Sequence, residues 1–347
     1  MFKIMSGVKK VYAKDTDLIR EILVKACQGA DVLVYATSTS VAMTYIGEGL
    51  KIPYVRLNFY PDAPTKEFRC VNYPEWPLGP VFRGTYNKLS HILCDYFSVR
   101  IQKSSKKSWL KPLGLKNSFR LGLKYLDGSG IENLLGYSEL IVPACKDYKD
   151  NIHVVGYFSD VGQEDVYTPD EELSAFLSAG EQPIYIGFGS VPAGYDNILT
   201  TVLEALKITG KRAFISGSWA NIEKEKLPEN VHLVGYVPHE WLFSQCRAIV
   251  QHGGAGSTAN ALRAGKPTLV VPFGSDQLFW GNRVYERGLG PKPIHQKKLT
   301  AQNLADAINE LCGEKYAEKA KETGRLLKAE DGVGAAVEFL ESKYGRK

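Results

Sequence analysis

RAIVQHGGAGSTANALRAGKPTLVVPFGSDQLFWGNRVYERGLG, residues 247–290, is the stretch on which the fold turns. Ala248, Ile249 and Val250 are an apolar run suited to a buried strand. His252, Gly253, Gly254, Ala255 and Gly256 then permit a close backbone turn. Residues 257–264 read as a short helix stopped by Gly265 and Pro267. Residues 268–271 form a second buried strand, and Ser275 is placed to cap a helix over 276–287. Such a turn aims backbone N–H groups and the positive end of a helix at whatever lies above the sheet, which suits a diphosphate.

A glycine-rich turn by itself equally suits close packing with no ligand. The neighbours of this one add chemistry. His252 precedes the turn and can donate to phosphate, and Ser257 and Thr258 offer hydroxyls beside the N–H groups. Further on, Asp276 and Gln277 open the next helix with an acceptor-rich pair able to grip sugar hydroxyls. HGGAGST, RAGKPTLVVPF and GSDQLFWGNRV resemble the donor-binding signature of the GT-B glycosyltransferases that use UDP-sugars. The resemblance points in particular to the branch of sterol glucosyltransferases and glycopeptide-antibiotic glycosyltransferases.

The 347 residues suggest two domains, and 44% hydrophobic residues is enough to pack both. A net charge of +5 suits an anionic ligand, and no nucleic-acid-binding motif accompanies it. Cys27, Cys70, Cys94, Cys145, Cys246 and Cys312 lie far apart without CxxC or Cys/His clustering. They read as reduced thiols of a cytoplasmic protein, neither a zinc site nor a disulfide frame. MFKIMSGVKKVYAKD has no signal-peptide core, and no apolar run is long enough to span a bilayer.

Residues 15–26 carry Leu18, Ile19, Ile22, Leu23 and Ala26 at helical spacing. Asp15-Thr16-Asp17 looks like a DxD metal motif, but its place before that periodicity makes it a helix start. Strands over 31–36 and 54–57, with a helix over 37–50 between them, give a βαβ rhythm. Residues 59–82 are dense in aromatics and prolines, read either as a cleft-lining loop or as an ordered loop packed on itself. Residues 100–124 contain no acidic side chain, and their basic residues alternate with Trp109, Leu110, Leu113, Leu115, Phe119 and Leu121. This is either an anionic-membrane contact or a solvated helix and loop. Short strands are expected over 138–142 and 152–156, and a polar linker over 162–170. A helix over 171–177 and strands over 183–188, 212–215 and 231–235 follow, then the helices of 300–343 with Leu304, Ile308 and Leu311 on one face. His91 and Asp95, four apart on a helix, read as ordinary surface polarity.

GFGS at 187–190, the Trp after the next strand and PHEWLF at 238–243 also match family blocks in order and spacing. The resemblance implies an α/β protein of two Rossmann-like domains. These are an acceptor-binding domain over 1–165, a UDP-sugar domain over 166–330, and a C-terminal helix over 331–347 that packs back on the first domain. It implies that Ser190, His252, Gly254, Ala255, Gly256, Ser257 and Thr258 hold the phosphates. Trp219 and the backbone around Val237 would hold the uracil, and Asp276 and Gln277 the sugar. Departing UDP would be stabilised by His252 without metal or cofactor. The family's first Gly-rich strand-turn, with its acidic base, has no counterpart here, so the first domain reads as N-terminally short and no residue is assigned as base. The implied reaction is inverting transfer of a hexose, glucose above all, to a hydroxyl of a lipophilic acceptor such as a sterol. A nucleotide-sugar-binding protein, or a split-transferase subunit whose base comes from a partner chain, is the alternative.

Overall fold

The computed structural model describes residues 16–36, 39–101, 109–115, 130–159, 167–189, 197–217 and 227–345. The chain divides into two compact units. Unit 1 takes in residues 1–136, 144–156 and 332–347, and unit 2 residues 137–143 and 157–331.

Unit 1 is built on a parallel sheet of order β1-β2-β3-β4 among the described residues: Leu33–Ala36, Tyr54–Asn58, Glu132–Leu135 and Ile152–Val154. Leu33 faces Tyr54, and Val55 faces Glu132. Helices α1 (Thr16–Cys27), α2 (Ser40–Leu50) and α3 (Pro80–Ile101) belong to it. α1 begins where the DTD tripeptide was read as a helix start, and Asp17 binds Arg20 at 2.6 Å. Pro80 opens α3, at the position where a missing N–H costs nothing. α11 (Gly332–Tyr344) is clustered with this unit, its Phe339 ring 4.4 Å from His153 and its Lys343 paired with Glu132.

Three expectations are corrected in and near this unit. Residues 138–142 are a turn, not a strand. Ser138 accepts backbone N–H bonds from Ile141 and Val142, and its Oγ accepts from Leu140 N. A short apolar run is buried equally well in a turn, and Ile141 and Val142 are fully buried here. His91 is not surface polarity: it is 2% exposed, and Asp95 Oδ2 is sealed from solvent. The cysteines are not all apart from histidine, because Cys70 lies with His91 and Asp62, one ligand atom of each within 4.8 Å of the other two. Of the basic segment, residues 109–115 are described. Trp109, Leu110, Leu113 and Leu115 pack with Tyr45 and Ile46 in the unit's core, so these apolar side chains face inward.

Unit 2 is a doubly wound Rossmann sheet. Its strands are β5 (Ile184–Gly187), β6 (Ala213–Ser216), β7 (Val231–Val234), β8 (Ile249–Gln251) and β9 (Thr268–Val270), all parallel in the order β7-β6-β5-β8-β9. Alternate residues feed opposite layers, because successive strand side chains point to opposite faces. Ile184, Ile186, Ala213, Ile215 and Val250 join one core with α5 (Asn197–Thr209) and α9 (Ala301–Cys312). Tyr185, Phe214 and Ile249 join the other, against α4 (Glu171–Ser178), α6 (His239–Ser244) and Ala261 of α7 (Ala255–Arg263). Asp170 caps α4 by accepting from Leu173 N at 2.8 Å, and a Thr300/Asn303 capping box starts α9. Leu304, Ile308 and Leu311 are all fully buried, as one apolar face requires. α8 (Gln277–Glu286) and α10 (Ala317–Lys328) complete the unit.

Candidate functional site

The strand order reverses between β5 and β8, and in open α/β sheets the crevice beyond that switch point receives ligands. Two turns meet there. Gly187-Phe188-Gly189 leaves β5, and Gln251-His252-Gly253-Gly254 leads from β8 into α7.

The second turn is made by what it lacks. Gly253 has φ +95°, and a Cβ there would lie 2.6 Å from the Gln277 carbonyl oxygen and 2.7 Å from Val270 Cγ1. Only glycine fits both the left-handed backbone and that approach. Gly254 is the N-cap of α7 and supplies no side-chain cap to its first turn. The N–H groups that an α-helix leaves unpaired at its start are thus not silenced by a capping oxygen from this residue. Ala255 and Ser257 are half-buried at this end, and Gly256 is exposed.

The His252 ring lies between the two turns. A Cβ on Gly189 would sit 3.3 Å from His252 Cε1, and one on Gly254 would sit 2.6 Å from His252 Nε2. Among the described residues, His252 Nδ1 is buried without a hydrogen-bond partner. Burial is the main influence on this imidazole and lowers its pKa, opposed by the charge of Asp276. Asp276 is drawn the other way, its carboxyl raised by burial despite hydrogen bonds from Trp280 and Ser275. Trp280 Nε1 donates to Asp276 Oδ2 at 3.1 Å. A neutral imidazole and a desolvated carboxylate thus face one crevice.

Some expected roles change. The α8 N-terminus is not capped by Ser275, which adopts φ +54° and leaves the N-cap position to Asp276. Gln277 Oε1 instead accepts from Phe273 N at 2.7 Å and Gly274 N at 3.0 Å, so its carbonyl organises the loop while its amide nitrogen remains a donor. Thr258 is fully buried, and its Oγ1 accepts from Gln251 Nε2 at 2.9 Å, which gives it a place in the scaffold behind the turn. Val237 is half-buried against the α6 core. Ser190 and Trp219 lie outside the described residues.

Gln251 is the residue that sequence reasoning passed over. It is fully buried, accepts from Gly253 N at 2.6 Å through Oε1, and donates to Thr258 through Nε2. One side chain so joins the turn to the helix that follows it. A lone glutamine ending an otherwise apolar strand was the available signal.

The family described as erythromycin biosynthesis protein CIII-like, C-terminal domain, matches residues 218–330. A sterol 3-beta-glucosyltransferase of Arabidopsis thaliana is 37% identical over 314 residues, covering 89% of this chain and 48% of that protein. A sterol 3-beta-glucosyltransferase of Komagataella phaffii is 34% identical over 98% of this chain and 29% of its own length. Among solved structures, the calicheamicin glycosyltransferase CalG4 superposes with a TM-score of 0.67 at 17% identity, over 99% of this chain and 83% of that one. The glycosyltransferase VinC, solved with dTDP, gives 0.63 at 19% identity, over 98% and 80%.

The chain has the GT-B fold and is similar over most of its length to sterol 3-beta-glucosyltransferases. It spans about half the length of the Arabidopsis relatives, and less of the yeast one.

Two outcomes follow for the turn of this GT-B chain. Gln251→Ala leaves the Gly253 N–H and the Thr258 hydroxyl buried without their partner, and should cost about 1–3 kcal/mol for each group left unmet. Urea unfolding measures it, and a cost near zero would show the network to be dispensable. The second concerns pH. The folded pKa of His252 lies below the ordinary value of 6.5, so the unfolded chain binds more protons in the interval between the two. Stability is therefore full above 6.5 and declines as pH falls through the folded value. His252→Gln should flatten that decline in a pH series of unfolding curves, and an unchanged slope would contradict the assignment.

Proposed function

We propose that this chain transfers a hexose, glucose above all, from a UDP-sugar to a hydroxyl of a lipophilic acceptor of the sterol class. The observation that carries the reading is the His252 ring held against Gly189 and Gly254 at the switch point of unit 2. The sterol 3-beta-glucosyltransferase relatives support the acceptor class.

The chemistry is a single in-line displacement. The bond from the anomeric carbon to the diphosphate oxygen breaks as the acceptor oxygen bonds that carbon from the opposite face, inverting it, and the acceptor hydroxyl gives up its proton to a base that is not assigned among the residues of this chain. UDP leaves with the bonding electrons. Its new charge falls beside the α7 N-terminus, where N–H groups and helix dipole favour an anion. His252 donates a hydrogen bond to the diphosphate, Ser190 and Ser257 add hydroxyls, and no metal or cofactor is required at this turn. Trp219 and the backbone at Val237 hold the uracil, and Asp276 and the Gln277 amide grip the sugar hydroxyls.

A lipophilic acceptor is collected at a membrane, and we place the acceptor-binding half against an anionic lipid surface. With Trp109, Leu110, Leu113 and Leu115 turned inward, attraction through residues 100–124 falls to their basic side chains. Trp76, Val81 and Phe82 nearby in sequence are 56%, 83% and 69% exposed and suit shallow insertion. Among the described residues no helix is long and apolar enough to cross a membrane.

Calorimetry with UDP-glucose, paired with a sterol glucosylation assay, tests the transfer. The chain should bind and turn over, and His252→Ala should lose about 10²–10³-fold in rate, the effect of removing one donor to a developing anion. Binding without turnover would make the chain a donor-binding half whose base comes from a partner chain. Absence of binding would remove the proposal. For the membrane, the chain should float with anionic but not neutral vesicles, and charge reversal at Lys106 and Lys107 should release it. Failure of the unaltered chain to float excludes that contact.

A further inference from the structure

Unit 1 contains a cluster that sugar transfer does not use. Asp62, Cys70 and His91 are 7%, 1% and 2% exposed, and each offers one ligand atom within 4.8 Å of the other two. Around a tetrahedral zinc ion with bonds of about 2.0–2.3 Å, ligand atoms are spaced roughly 3.3–3.7 Å apart, so small side-chain adjustments would close the set.

We propose that Asp62, Cys70 and His91 form a zinc site, with the fourth position left to water. The histidine is prepared for it. His91 Nε2 meets the Phe68 carbonyl oxygen at 3.1 Å, which places the ring proton on Nε2 and leaves the Nδ1 lone pair open. Among the described residues that Nδ1 is buried without a hydrogen-bond partner. A ligating imidazole that donates its other nitrogen to a backbone carbonyl is the usual arrangement in metal sites. Cys94 lies three residues beyond His91 on α3, on the same helical face. Its sulfur stands 4.0 Å from Asn72 Nδ2. Asp62 in turn has Asn58 Nδ2 at 3.5 Å and the Arg56 guanidinium at 4.0 Å.

The donor set selects the metal. Thiolate, imidazole and carboxylate together suit zinc, whereas magnesium and calcium ask for oxygen alone. Binding releases the Cys70 thiol proton, and the thiolate and the carboxylate then offset the charge of the ion beside Arg56. The consequence is mechanical. Asp62 and Cys70 lie in the irregular loop of residues 59–79 and His91 on α3, so the ion would cross-link the two. The existing ties are hydrogen bonds, from Cys70 N to Ser90 Oγ at 2.8 Å and from Asn87 Nδ2 to the Lys66 carbonyl at 2.8 Å.

The full chain, purified without a histidine tag, should carry or take up one zinc ion by mass spectrometry of its metal content. Cobalt in its place should show a thiolate-to-metal charge-transfer band. Cys70→Ser and His91→Gln should weaken zinc by about 100-fold or more. Cys246→Ser, buried in unit 2, should leave it unchanged. A folded unaltered chain that neither carries nor takes up zinc would overturn the proposal, as would uptake that persists equally in both ligand variants. The metal content of the unaltered chain decides even where a variant fails to fold.

Discussion

Everything at the candidate site depends on the space left by one absent methyl group. At Gly253 the chain leaves β8 with φ +95° and passes so close to the start of α8 that a Cβ would meet the Gln277 carbonyl and Val270. That approach brings the α8 entry, with Asp276, up to the turn that opens α7. The same turn throws the His252 ring across Gly254, where it also meets Gly189 from β5. Three segments distant in sequence thereby present a neutral imidazole, uncapped helical N–H groups and a carboxylate to one crevice. The backbone is held there by Gln251, whose two polar ends are both consumed inside the protein.

The two units achieve different things with similar sheets. In unit 2 the order β7-β6-β5-β8-β9 reverses direction once and creates a crevice at that reversal. In unit 1 the described strands run β1-β2-β3-β4 without reversal. Its distinctive feature is the chain between β2 and α3, an irregular loop fastened by side-chain hydrogen bonds. Thr65 Oγ1 donates to Asp147 at 2.6 Å, Lys66 N donates to the same carboxylate at 2.9 Å, and Tyr86 donates to the Pro74 carbonyl. A loop without ladder hydrogen bonds must satisfy its backbone this way. The loop packs on itself and on α3, while Phe59 and Trp76 remain 40% and 56% exposed.

The elements of unit 2 were legible because each carries a local signal. Short runs of three to six residues marked β5 to β9 to within a residue or two, and the spacing of Leu304, Ile308 and Leu311 marked the buried face of α9. The glycines of 253, 254 and 256 marked the turn because no other residue type serves there. What escaped was set by partners far along the chain. Ser275 looks like a cap, but the Gln277 side chain takes the loop N–H groups and frees the serine to enter the left-handed region. Thr258 looks like a phosphate ligand until Gln251 engages it. The apolar run at 138–142 carries no periodicity long enough to separate strand from turn. Cys70 and His91 are 21 residues apart and read as unrelated, since nothing local says that the loop folds back on α3.

The central claim is that a diphosphate sits on the α7 N-terminus beside His252. Hydrogen exchange of the backbone amides, followed with UDP and with uridine, tests it most directly. Protection confined to residues 252–258 that appears with UDP and not with uridine is the predicted result. Equal protection by the two, or protection that leaves this turn untouched, would contradict the account.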